Sequence, residues 1–203
     1  MKNLVLYIVL WIASLGSVGC LGGRQEPRIV MHADAQFLPE ERACVEWSAD
    51  MWREQTSGLA DAKFVWDYNS KDAVSVQKHK DDNVLLRVTG ENPVVVEIDN
   101  EGEGSLLGLV THGPPVRMSL VVDRFYQDRS LNKDECHRVS LHELGHVWGI
   151  PHISRNPSNI MFPVELPQRT ACLKADDLLG FCFENDCGNI EMHPCPDQPV
   201  ETF

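Results

Sequence analysis

Positive charge is the scarcer sign in this sequence. Its 203 residues carry 18 Lys and Arg against 30 Asp and Glu, a net charge of −12. That balance argues against the two partners that need a basic surface, nucleic acid and anionic membrane. It is compatible with Ca²⁺, although a solubilising charge explains it as well. The apolar run over residues 4–15 is too short for a comfortable transmembrane helix. Asn156-Pro157-Ser158 is not a glycosylation site, because proline fills its middle position. Disorder is excluded too: 43% hydrophobic residues over this length make one globular domain with a real core.

What stands at the N-terminus is a targeting segment over residues 1–19. Lys2 supplies its positive start and residues 4–15 its apolar stretch. Ser17-Val18-Gly19-Cys20 then resembles the lipobox of bacterial lipoproteins, in which the signal is cut before a cysteine that becomes lipidated. Ser17 departs from the usual leucine, and an ordinary secretory signal cut nearby is the alternative. Cysteine parity favours the lipoprotein. Of seven cysteines, setting Cys20 aside leaves six, an even set for three disulfides in an oxidising compartment. The expected chain is secreted or in the cell envelope, touches the membrane only through Cys20, and continues through a tether over 20–27 into a domain over 28–203. No prodomain fits between Cys20 and the first strand.

The chemistry is concentrated at 142–152. His142 and His146 are four residues apart, so a helix puts both imidazoles on one face within reach of one metal ion. Glu143 flanks them without being forced to be a ligand, which suits a base acting on water held by the metal. Gly149 tolerates the left-handed conformation that ends a helix, and Pro151 prevents its resumption. The chain then turns back, and His152 becomes the third nitrogen ligand. Three histidines leave a fourth tetrahedral position open, the mark of a catalytic rather than a structural Zn²⁺ site.

Around this stretch the chain alternates between strand and helix signals. Strands are expected over 28–33, 63–68, 83–89, 94–99, 106–111 and 117–125. A helix is expected over 39–57, with Pro39 near its start, Glu40 and Glu41 in its first turn and Gly58 after its end. Ala43, Cys44, Trp47 and Met51 form its core stripe. The zinc-site helix covers 134–149. Residues 99–104 are acidic and glycine-rich, a solvated loop more than a calcium site. His137 lies off the ligand face, and His32, His79, His112 and His193 are scattered along the chain.

The motif His142-Glu143-x-x-His146-x-x-Gly149-x-x-His152 resembles the signature of the metzincin metallopeptidases, with Ser158-Asn159-Ile160-Met161-Phe162-Pro163 as the methionine turn that follows it. The short gap from His152 to Met161, and Pro163 in place of a tyrosine, are most similar to the matrixin branch. Leu173-Lys174-Ala175-Asp176-Asp177-Leu178-Leu179-Gly180 resembles the start of the last matrixin helix. The resemblance implies an α+β fold: a twisted mixed sheet backed by two long helices, with a small C-terminal subdomain holding one helix. It implies a monomeric zinc endopeptidase in which Glu143 assists the attack of water, Met161 lies under one catalytic zinc ion, and an extended peptide pairs with the edge strand near 107–111. The His- and Asp-rich loop that holds a second zinc in matrixins is not found here, so one zinc ion is expected.

Two positions depart from the matrixin pattern. Ile153 replaces a serine. Glu165 replaces a tyrosine in the wall of a specificity pocket, where a carboxylate would favour Lys or Arg after the scissile bond. By the same resemblance the two long helices run side by side, which brings Cys44 to Cys136. Cys172 and Cys182 bracket a helix, roughly 15 Å apart, too far for a bridge. Each is therefore expected to pair with Cys187 or Cys195. The rival to the peptidase is a catalytically silent zinc- or peptide-binding lipoprotein, against which the retention of Glu143 speaks.

Overall fold

The computed structural model of the chain describes residues 29–89, 108–111, 113–124, 129–163, 170–188 and 191–195. The targeting segment with Cys20, the strand expected over 94–99, the acidic loop over 99–104, Glu165 and the last eight residues lie outside them. The first element is β1 (Ile29–Asp34), where Met31 and Ala33 are fully buried and His32, between them, faces the other side of the sheet. It is central to a five-stranded sheet with β2 (Ala62–Tyr68), β3 (Val84–Val88), β4 (Gly108–Thr111) and β5 (Arg117–Val121), in the order β2-β1-β3-β5-β4. β1 pairs in parallel with β2 and β3, and β3 with β5. β4 runs antiparallel to β5 and forms one edge.

The single strand expected over 117–125 is broken in two. Val122 N–H still donates to the Val88 carbonyl at 3.0 Å, but its own carbonyl accepts from Leu131 N–H at 2.8 Å. The chain thereby leaves the main sheet for a two-stranded ribbon of β6 (Asp123–Arg124) and β7 (Arg129–Ser130).

α1 (Pro39–Gln55) starts at its proline, with Leu38 N–H donating to Glu41 Oε2 at 2.8 Å, and stops short of Gly58 at φ +89°. Its core face differs from the expected stripe. Ala43 is exposed and Trp47 and Met51 are half-buried, whereas Glu41, Cys44, Val45, Ser48, Ala49, Trp52 and Gln55 are buried. The polar members are buried because they are bonded. Ser48 Oγ donates to the Cys44 carbonyl at 3.1 Å, and Glu41 accepts from Arg87 at 2.8 and 3.0 Å. A count of apolar residues along the helix cannot see such partners.

α2 (Ala73–Lys78) was not expected. It is six residues long, too short for a periodic signal, and it is held by Asp72, whose carboxylate accepts from Val74 and Ser75 N–H at 3.2 Å each. α3 (Lys133–Val147) opens on a reciprocal cap: Glu135 N–H donates to Asn132 Oδ1, and Asn132 N–H to Glu135 Oε2, both at 3.0 Å. α3 runs beside α1 in the same direction, since residue numbers advance together along their contact. Cys44 is bridged to Cys136, Ser48 Oγ donates to the His137 carbonyl at 3.4 Å, and Trp52 Nε1 to the Leu141 carbonyl at 2.9 Å.

α4 (Ala175–Asn185) carries Cys182 inside it, whereas Cys182 was expected to bracket the helix. Its Phe181 packs on Trp52 and Trp148, with ring centroids 5.8 and 6.2 Å apart. Cys172 pairs with Cys195 and Cys182 with Cys187. Gln55 ties this C-terminal part to α1. Its side chain donates to the His193 carbonyl at 2.9 Å and accepts from Leu173 N–H at 3.2 Å. No helix among the described residues is long and apolar enough to cross a membrane.

Candidate metal centre

His142 and His146 project from α3 one turn apart. After Val147 the helix closes: Ile150 N–H donates to the Gly145 carbonyl at 3.1 Å, and Gly149 takes φ +87°. The reversal returns His152 to the other two rings. The three Nε2 atoms are mutually 3.1, 3.2 and 3.2 Å apart. Nitrogens held about 2.0–2.1 Å from one tetrahedral zinc ion are separated by about 3.3–3.4 Å, so the donor set fits that ion.

The outward nitrogens of two rings are engaged by backbone. His142 Nδ1 lies 2.7 Å from the Ile160 carbonyl, and His146 Nδ1 2.7 Å from that of Ile150. A carbonyl can only accept, so each Nδ1 carries the proton and each Nε2 keeps its lone pair for a metal. Removal from water holds the His152 ring below the ordinary histidine range, which also favours the neutral, ligating form.

The Glu143 side chain lies against β4. It is 6% exposed, and its Oε2 is buried without a hydrogen-bond partner among the described residues. Burial pushes its carboxyl up to about 8. A Cβ on Gly108 of β4 would collide with this side chain, so glycine lets the edge strand lie against it without displacing the carboxylate. Gly145, between the two helical histidines, plays the same part toward Met161, whose sulfur occupies the space a Cβ would need. Met161 is fully buried, and its carbonyl accepts from Ile153 N–H at 2.7 Å.

Asp177, at the start of α4 and fully buried, holds the methionine turn. Its carboxylate accepts from Ile160 and Met161 N–H at 3.0 Å each and from Lys174 N–H at 2.8 Å. Sequence reasoning placed Asp177 in the last helix without this role, and it missed Gly108 and Gly145. A glycine in a strand does signal close backbone approach, but the signal does not name what approaches.

His137 is apart from this centre, stacked on Trp47 with centroids 4.0 Å apart. His32 and His79 are not scattered: the fold brings them to Asp67 on the far side of the sheet.

The family model described as Matrixin matches residues 61–182. No curated protein sequence matches. Among solved structures, the chain is similar to metalloproteinase-II from Bacteroides fragilis, with a TM-score of 0.45 and 12% identity. That likeness covers 78% of this chain and 52% of the other, so this chain spans about half the length of that one.

Proposed function

Because the chain belongs to the matrixin family, we propose that it is a zinc-dependent endopeptidase, with His142, His146 and His152 as the metal ligands and Glu143 as the general base. The observation that carries this reading is the convergence of three ring nitrogens, together with a buried, unpartnered Oε2 on Glu143, the residue that follows His142 on the same helix. A zinc ion bound by those nitrogens supplies Lewis acidity to water and to the scissile carbonyl. Glu143 takes the proton of the attacking water and later gives it to the leaving amine. Its raised proton affinity suits both transfers, and a cation held by the adjacent rings would draw its pKa back toward neutrality, where a general base works best. β4 pairs on one side with β5, and its other side is unpaired among the described residues, which suits an extended substrate adding there as a strand. Gly108 keeps that strand close to Glu143.

The test is hydrolysis of a mixed peptide library by the wild type, with and without a chelator, and by Glu143→Ala. The expected outcome is cleavage that the chelator abolishes, and a variant that keeps its zinc and cleaves at least about 10²-fold more slowly. A wild type that holds zinc and leaves the whole library intact would make it a zinc- or peptide-binding protein instead.

Two further parts of the reading concern residues outside those described. Cys20 is proposed as the lipidated first residue of the mature chain; intact mass and detergent partitioning check this, and an unmodified Cys20 removes it. Glu165 is proposed to select Lys or Arg after the scissile bond, which identical cleavage profiles for wild type and Glu165→Gln would exclude.

A further inference from the structure

His32 lies on β1, Asp67 on β2, and His79 and Asp82 on the connection between α2 and β3. The neighbours of His32 on β1, Met31 and Ala33, are buried in the core, and Phe64 and Trp66 of β2 pack against the same core. Side chains alternate along a strand. His32 and Asp67 therefore share the outer face of the sheet, away from that core. One donor atom from each of His32, Asp67 and His79 falls within 4.8 Å of the others.

The polar contacts there leave one atom unexplained. His32 Nδ1 is 2.6 Å from Asp67 Oδ1, and His79 Nδ1 is 2.9 Å from Asp82 Oδ2. His79 is 2% exposed, and its Nε2 is buried without a hydrogen-bond partner among the described residues. That atom lies 3.7 Å from Asp67 Oδ2, too far to bond it. Donation from Nδ1 to Asp82 selects the tautomer that leaves a lone pair on Nε2, the nitrogen near Asp67. A metal-ligating histidine is held in this way, its second nitrogen donating to a carboxylate. A purely ionic reading, with protonated histidines balancing the carboxylates, leaves a charged N–H of His79 buried and unbonded, which is costly. Lys78 Nζ is 3.6 Å from Asp67 Oδ2, but its side chain is 65% exposed and free to swing into solvent.

We propose that His32, Asp67 and His79 form a second site for a divalent transition-metal ion, zinc or one of similar ligand preference, distinct from the three-histidine centre. Two imidazoles and a carboxylate are a donor set of that class, and water can complete four-coordination. Asp82 would orient His79. The ion would join β1, β2 and the α2–β3 connection at the β2 side of the sheet. The three-histidine centre lies by β4, at the opposite edge. Its role would accordingly be structural, and the peptidase reading does not depend on it.

The experiment is metal counting on the full chain, loaded with Zn²⁺, desalted and measured by mass spectrometry. Wild type should hold two ions per chain. His142→Ala/His146→Ala should hold one, and adding Asp67→Asn to that variant should bring it to none. Asp67 is on the surface and Asn is nearly isosteric, so this change leaves the fold intact, whereas replacing the buried His79 would disturb packing. Asp67→Asn alone should hold one ion and keep peptidase activity. Titration of His142→Ala/His146→Ala with Co²⁺ gives a second readout: visible absorption bands saturating at one equivalent, which Asp67→Asn abolishes. The proposal is overturned if His142→Ala/His146→Ala retains no ion and shows no such bands, or if Asp67→Asn leaves its metal content unchanged.

Discussion

Gly108 and Glu143 work as a pair although they come from different elements. A Cβ at Gly108 would occupy the space of the Glu143 carboxylate. That carboxylate ends a flexible side chain, so it would move rather than the backbone. Gly108→Ala is therefore expected to keep zinc content and thermal midpoint near wild type while slowing peptide hydrolysis by about 10²-fold, the scale of a misplaced catalytic group. Kinetics and metal analysis on the same preparation check this; a wild-type rate would show that the base has room to spare. On the proposed mechanism Glu143→Ala removes the proton acceptor and leaves the three ring nitrogens, so hydrolysis should fall by about 10²- to 10⁴-fold at constant zinc content. His137 makes a different prediction. Desolvation, with the nearby Lys133 charge, holds its pKa below the ordinary histidine value of 6.5 in the folded state, against an opposing pull from Asp134. The folded chain thus resists the proton that the unfolded chain accepts. Its contribution to stability is complete above pH 6.5 and declines as pH falls through and below that value. Urea unfolding of wild type and His137→Phe across this range should show a shallower pH dependence in the variant.

Among the elements, α3, the methionine turn and α4 form one chain of support. Asp177 of α4 fixes Ile160 N–H, and the Ile160 carbonyl fixes the His142 ring. Asp177→Ala removes the carboxylate that accepts from three buried backbone donors, at about 1–3 kcal/mol each. It should destabilise the chain by at least about 3 kcal/mol in denaturant unfolding and weaken zinc binding as well, because the ring that Ile160 orients is released. Zinc affinity unchanged in a folded Asp177→Ala would show that the turn does not position His142. The helix α3, its glycine stop and the return of His152 were legible in the sequence because a 3.6-residue repeat and a left-handed stop are local properties. The buried face of α1 was not legible, because Ser48 and Gln55 are buried through bonds to partners far along the chain.

For the whole molecule, three disulfides divide the work of holding the domain closed. Cys44–Cys136 spans 92 residues, Cys172–Cys195 spans 23 and Cys182–Cys187 spans 5. If a bridge acts mainly by restricting the unfolded chain, the first contributes about 4–5 kcal/mol and the last the least. Paired Cys-to-Ser variants should lose denaturant stability in that order. An equal loss for all three would point to native-state contacts as the dominant effect.

Much of this molecule was written in short spans of its sequence. The histidine spacing, the glutamate beside it, the glycine and proline that turn the chain back, and the strand and helix alternation each depend on neighbours a few residues away. They were therefore readable without a structure. The pairing of Cys172 with the distant Cys195, the fit of Gly108 to Glu143 and of Gly145 to Met161, and the grip of Asp177 on the methionine turn depend on residues that meet only when the elements pack. The gathering of His32, Asp67 and His79 is of the same kind. Parallel strands place side by side residues that the sequence holds far apart, and no periodicity along the chain records which side chains will share a face across them.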